Sequence, residues 1–188
     1  MGIFKRVGKI FLIFVLGSLL YGCGAQPEAI TDTRSEEEKS EGDYWYEAVF
    51  LDKDTLDGIF SEVRGEVPYS CFNGEYHVTT AFKPEPKQEA LYGKPVLVKL
   101  TVYKDGETQT DEGKTTHNEG FLAEVTSDDA EMQEFLDSLD VLWHVTGTYE
   151  DNAKYTAAID FSDGLPVEKT VAGVFGCGYS DGTVDLGK

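Results

Sequence analysis

Two hydrophobic rhythms follow one another along the chain, and then recur. Residues 44–51 (YWYEAVFL) are rich in aromatic and branched side chains and predict a strand. In residues 53–64 (KDTLDGIFSEVR) the rhythm changes. Leu56, Ile59, Phe60 and Val63 fall at i, i+3, i+4 and i+7, the apolar stripe of a helix. Asp52 or Asp54 is available to cap its first turn. A turn-rich stretch with Gly74 then leads into YHVTTAF, a strand pattern. In the second half, GFLAEVT (120–126) predicts a strand. SDDAEMQEFLDSL (127–139) puts Met132, Phe135, Leu136 and Leu139 on one helical stripe behind Ser127 or Asp128, and LWHVTGTY predicts a strand. Residues 95–103, 155–161 and 170–176 add strand patterns, Asp105-Gly106, Asp163-Gly164 and Asp181-Gly182 mark turns, and residues 104–119 read as a polar loop. Strand, helix, strand thus occurs twice. The expected fold is α+β: a bilobal duplicated domain of two antiparallel-rich sheets, each covered by a helix, with a central cleft.

The start of the chain follows a different logic. MGIFKRVGK carries Lys5, Arg6 and Lys9, and the apolar run IFLIFVLGSLL after it is too short for a stable membrane span. Basic, apolar, then small residues is the order of a secretory signal peptide. The Gly22-Cys23 that closes it resembles the lipobox of bacterial lipoproteins. That resemblance implies removal of residues 1–22, lipidation of Cys23 and anchoring to the cell membrane outside the cytoplasm; the alternative is an ordinary signal peptide cut elsewhere. Residues 23–43 are charged and nearly free of large apolar groups, so a disordered tether is expected there. Residues 44–188 form one domain of ordinary size. Apart from Cys23, Cys71 and Cys177 remain. An even pair outside the cytoplasm is often a disulfide, which is the expectation, with two buried thiols as the alternative.

Charge narrows the partners. The formal net charge is −19, and losing Lys5, Arg6 and Lys9 takes it to −22. Such a polyanion repels long nucleic acid, while a small anionic ligand in a local site remains open.

Two of the three histidines stand in the same tripeptide, His77-Val78-Thr79 and His144-Val145-Thr146. Side chains alternate along a strand, so each His and Thr share a face. Tyr76, Val78 and Phe82, and Trp143, Val145 and Tyr149, occupy the opposite faces, which bury against the helices. The His/Thr faces are then left toward the cleft. Such a set suits metal-free phosphoryl chemistry: a neutral imidazole takes a proton from the nucleophile and an imidazolium gives one to the leaving oxygen. Threonine hydroxyls donate to the nonbridging oxygens where charge develops. Two histidines fall short of the three or four protein ligands zinc usually takes, and neither a metal nor a cofactor is expected. Tyr44, Trp45 and Tyr46 are candidates to stack on a base or sugar, with Tyr46 taken as the substrate contact. Lys83, Lys87, Lys94, Lys99 and Lys104 either offset repulsion near the cleft or are solvated among Glu85, Glu89 and Asp105. His117, in the polar loop, is expected to be exposed.

Paired His-x-Thr motifs, one in each half, resemble the two-histidine (2H) phosphoesterase superfamily, which includes LigT-type RNA cyclic phosphodiesterases and 2′,3′-cyclic nucleotide phosphodiesterases. The resemblance spans most of residues 44–186. The pattern His, hydrophobic, Ser/Thr, hydrophobic matches at three positions in each copy and departs at Thr80 and Gly147. It implies that His77 and His144 are the acid/base pair and that Thr79 and Thr146 hold the phosphate, without saying which histidine is the base. The expected function is metal-independent hydrolysis of a small cyclic phosphodiester by a monomer. A second expectation is a catalytically inactive nucleotide- or anion-binding surface lipoprotein on the same fold. A third is a surface interaction domain in which the repeated tripeptide is coincidence.

Overall fold

The computed structural model describes residues 30, 44–65, 68–110, 112–151, 153 and 156–187. The expected signal peptide, Cys23 and all of the expected tether except Ile30 lie outside the described residues. Among the described residues, seven strands and two α-helices follow in order: β1 (Tyr44–Leu51), α1 (Lys53–Val63), β2 (Tyr76–Phe82), β3 (Pro95–Gln109), β4 (Thr115–Thr126), α2 (Ala130–Asp137), β5 (His144–Tyr149), β6 (Leu165–Tyr179) and β7 (Val184–Asp185). Both helices form where the apolar stripes predict them. Asp52 caps α1, its carboxylate accepting from the Thr55 N–H at 2.8 Å. Asp129, rather than Ser127 or Asp128, caps α2 by accepting from the Met132 N–H at 3.0 Å. Among the described residues no helix is long and apolar enough to cross a membrane.

The strands do not form two sheets. They form one antiparallel sheet in the order β2-β1-β6-β3-β4-β5, with β7 on β6. The expected bilobal architecture fails because β3 and β6, fifteen residues each, hydrogen-bond from Pro95↔Val174 to Tyr103↔Leu165 and fuse the halves. Residues 104–119 are not a loop either. β3 runs through Asp105-Gly106 and pairs with β4 as far as Gln109↔Thr115. Thr108, Thr116, Asn118 and Glu119 are buried there, so a polar sequence conceals an inward face. The strand expected over 155–161 is a 3-10 turn, Thr156–Ala158.

One principal core follows. Leu56, Ile59 and Phe60 of α1 and Met132 and Leu136 of α2 pack with Val78, Val98, Leu100, Phe121, Val145 and Phe175 from one face of the sheet. Fully burying a side chain of this kind stabilises by roughly 1.5–3 kcal/mol. On the other face Ala48, Phe50 and Leu186 make a small second cluster, against which Ile30, Tyr46, Val174 and Val184 pack. Ile30 of the expected tether is therefore docked on the domain.

The sheet curls until its edges lie side by side. Cα atoms of β2 and β5 approach within 8 Å. Just ahead of β2, Cys71 and Tyr149 exchange two backbone hydrogen bonds of 3.0 Å each, in antiparallel sense. This geometry also overturns the expected disulfide. Cys177 is buried in β6, level with Glu47 and so with Ala81 near the end of β2, whereas Cys71 precedes the start of β2. A bridge needs Cα atoms within about 7 Å. Both thiols are free.

Candidate functional site

Burial alternates along β2: Tyr76 and Val78 are buried, and His77 and Thr79 are partly open. The same alternation on β5 buries Val145 and Gly147 and leaves His144 and Thr146 partly open. The buried valines face the helices, so both His/Thr faces lie on the other side. There they open into one cleft of about 890 Å³, which Tyr46, Glu75, Phe82, Val141, Leu142 and Tyr179 also line. His77, Thr79, His144, Thr146 and Tyr46 are thus brought together, while Cys71, Cys177 and His117 are not among the lining residues.

Each motif strand bulges directly after its threonine. On β2 the pairing steps from Ala48↔Thr79 to Glu47↔Ala81, leaving Thr80 as an extra residue. On β5 it steps from Gly120↔Thr146 to Asn118↔Tyr149, again with one extra residue. A bulge kinks a strand and re-aims the adjacent side chains. Thr80 and Gly147 are also the two departures from the hydrophobic motif position, and the bulges explain both. The Thr80 hydroxyl donates to the Glu47 carbonyl at 2.9 Å. At Gly147 a Cβ would meet Phe60 Cε1 at 2.6 Å and Glu119 Cγ at 2.8 Å, so only glycine fits.

A buried glutamate, Glu47 or Glu119, stands behind each bulge, and neither is among the residues the tripeptide pattern singles out. Glu119 accepts from Tyr103 Oη at 2.8 Å, from the Thr148 N–H at 3.0 Å, from Thr148 Oγ1 at 2.6 Å and from the Arg64 guanidinium. Burial pushes its pKa up, but the bonds from Arg64, Thr148 and Tyr103 together outweigh burial and hold the carboxylate below its ordinary range. Glu47 Oε1 accepts from the Gln88 N–H at 2.6 Å and Tyr92 Oη at 2.8 Å. Its Oε2 is buried without a partner, and burial raises its pKa. The available signal was a second repeat: Glu47-Ala48-Val49-Phe50 and Glu119-Gly120-Phe121-Leu122 share Glu, small, apolar, apolar. Phe50 pairs with His77 and Leu122 with His144.

The two histidines have different surroundings. The His77 ring stacks on Tyr46 with centroids 4.7 Å apart, and its side chain is 14% exposed. Gly178 leaves space for that tyrosine, since a Cβ there would meet Tyr46 Oη at 2.7 Å. His77 Nδ1 is buried without a hydrogen-bond partner, 3.8 Å from Glu75 Oε1. The Glu75 carboxylate instead accepts from Tyr46 Oη at 2.6 Å. Burial first, and the charge of His144 second, push the His77 pKa down to about 4, against a smaller upward pull from the Glu75 backbone. His144 Nδ1 lies 2.8 Å from the Leu142 carbonyl. A carbonyl only accepts, so Nδ1 carries the hydrogen and Nε2 the lone pair. Burial lowers the His144 pKa, and the bond to Leu142 opposes that. Both imidazoles are therefore neutral at pH 7.

Lys83 is exposed next to Phe82, Lys87 lies against the cleft wall at Tyr179, and the other three lysines pair with carboxylates. Lys94 pairs with Asp129 at 2.5 Å, Lys99 with Glu124 at 3.3 Å and Lys104 with Asp163 at 2.7 Å, while Lys87 sits over the Tyr179 ring. His117 lies in β4 and pairs with Glu150 at 3.2 Å. Among the described residues no three His, Cys, Asp or Glu side chains are gathered to hold a metal ion. No family model, curated protein or solved structure matches the chain.

Proposed function

We propose that this cleft hydrolyses a small cyclic phosphodiester of the 2′,3′-cyclic nucleotide type without a metal. One observation carries the reading: two His-x-Thr faces, distant in sequence, open into the same cleft, close enough for the charge of His144 to act on His77. His77, the more deeply depressed of the two, is the base and His144 the acid. A water attacks phosphorus and gives its proton to His77, through the Nε2 edge left free by the burial of Nδ1. The bond from phosphorus to one ribose oxygen breaks, and that oxygen takes the proton that Nε2 carries when His144 is in its imidazolium form. The product is a ribose phosphomonoester, and exchange with solvent resets both rings. Thr79 and Thr146 donate to the nonbridging oxygens. A lipid on Cys23 holds the domain at the membrane.

The test uses residues 24–188, which retain every residue of both core clusters. Incubated in EDTA with a panel of 2′,3′-cyclic nucleotides, the parent yields monoesters, and His77→Ala and His144→Ala each lose about 10²–10⁴-fold. The base must be neutral, above about pH 4, and the acid protonated, below a pKa that burial holds under the ordinary 6.5. The bell in kcat/KM therefore peaks on the acid side of neutrality. Activity that EDTA abolishes, or that survives either alanine, contradicts the proposal.

A further inference from the structure

The cleft has an unusual charge balance for a site that takes a phosphate. Among the described residues, its lining includes no lysine or arginine, and it does include the carboxylate of Glu75. The whole chain carries a formal net charge of −19. Two threonine hydroxyls and two imidazoles can accommodate one negative charge. A second charge on the phosphate would face Glu75, with no lysine or arginine among the described lining residues to offset it.

The mouth of the same cleft is apolar where solvent reaches it. Phe82 is 59% exposed, Leu142 52% and Val141 38%, and all three line the cleft. The antiparallel bridge between Cys71 and Tyr149 explains why they meet: it carries the end of β2 toward the start of β5, so Phe82 and residues 141–142 flank one end. From there a row of rings leads inward. The Phe82 centroid is 6.2 Å from that of Tyr46, which in turn stacks on His77. The aromatic row and the two aliphatic side chains line the same cleft and together offer apolar surface that a flat group would cover. A ring there would stack on Phe82 or Tyr46.

We propose that the cleft selects phosphodiesters that carry a single negative charge and a flat aromatic substituent, which lies against Phe82 and Val141-Leu142 while the phosphate meets the two histidines. This rests on the reading of the cleft as a phosphodiester site, and it adds what that site accepts and rejects. Phosphomonoesters, including the hydrolysis product, bind weakly, so product leaves readily once the second charge has formed.

Binding is measured without turnover, by NMR of ¹⁵N-histidine-labelled residues 24–188. The probes are methyl phenyl phosphate, methyl cyclohexyl phosphate, dimethyl phosphate and phenyl phosphate, at about pH 8, where the monoester is a dianion. Methyl phenyl phosphate is expected to shift both His77 and His144 and to bind about tenfold or more tighter than each of the others. Phe82→Ala and Leu142→Ala each weaken it about threefold or more and leave dimethyl phosphate unchanged. Both truncated side chains are exposed and outside the cores, so the fold survives the change. Equal affinities for all four probes, tightest binding of the dianion, a cyclohexyl ester as good as the phenyl ester, or indifference of both variants overturns the proposal. None of these outcomes touches the hydrolysis assay. Conversely, selective binding with no turnover of cyclic nucleotides would sink the hydrolytic reading and leave this ligand class standing.

Discussion

His77 is the residue on which sequence and structure bear most directly. Its place in a repeated tripeptide marked it as a candidate, and its alternating position on β2 put it on the open face. Its environment was not readable from the sequence, because Tyr46, Glu75 and His144 reach it only through strand pairing and curvature. That environment has a consequence for stability. The folded pKa, about 4, lies below the ordinary 6.5. Between those values the unfolded chain binds the proton and the folded chain does not. The stabilisation is thus complete above pH 6.5, declines as the pH falls and is lost by about pH 4. The gap is worth up to about 3 kcal/mol. Urea unfolding of the parent and of His77→Phe at pH 7 and at pH 4 checks this. The parent is expected to lose more stability than the variant over that interval by about that amount. Parallel losses would mean that His77 titrates normally. The comparison cancels the carboxylates common to both proteins, including Glu75, whose pKa burial raises.

At the scale of elements, the helices were legible and the long strands were not. α1 follows a stripe of four apolar residues and α2 the first three of its stripe, Met132, Phe135 and Leu136, so local periodicity suffices. β3 and β4 continue through residues 104–119, where the inward positions are Thr108, Thr116, Asn118 and Glu119. Hydrogen bonds rather than hydrophobicity satisfy that face, which is why its composition resembles a loop. The same buried polar positions tie α1 to β5. Arg64, which ends α1, is hydrogen-bonded to Glu119, and Glu119 holds both the backbone and the hydroxyl of Thr148 beside the β5 bulge. Removing one member of a buried ion pair leaves the other uncompensated. Arg64→Ala is therefore expected to cost about 3–5 kcal/mol in denaturant unfolding. A loss under about 1 kcal/mol, the range of an exposed ion pair, would mean that the pair does not support the motif strand.

At the scale of the whole molecule, the repeat of strand, helix and strand was visible, but its assembly was not. Two short strand patterns, at 95–103 and 170–176, proved to be parts of β3 and β6, whose pairing joins everything into one sheet. Nothing local specifies that β3 pairs with β6. The partners of a central strand are chosen by complementary buried faces, here Val96, Val98 and Leu100 against Val171 and Phe175. The single curled sheet sets its two edge strands side by side, and that closure makes one cleft of two tripeptides. The most direct measurement of that convergence is the NMR titration of His77 in the parent and in His144→Gln. One site predicts that His77 titrates near pH 4 in the parent and moves upward in the variant, since the charge of His144 is lost. An unchanged His77 titration would contradict it, leaving two histidines that share a tripeptide but not a site.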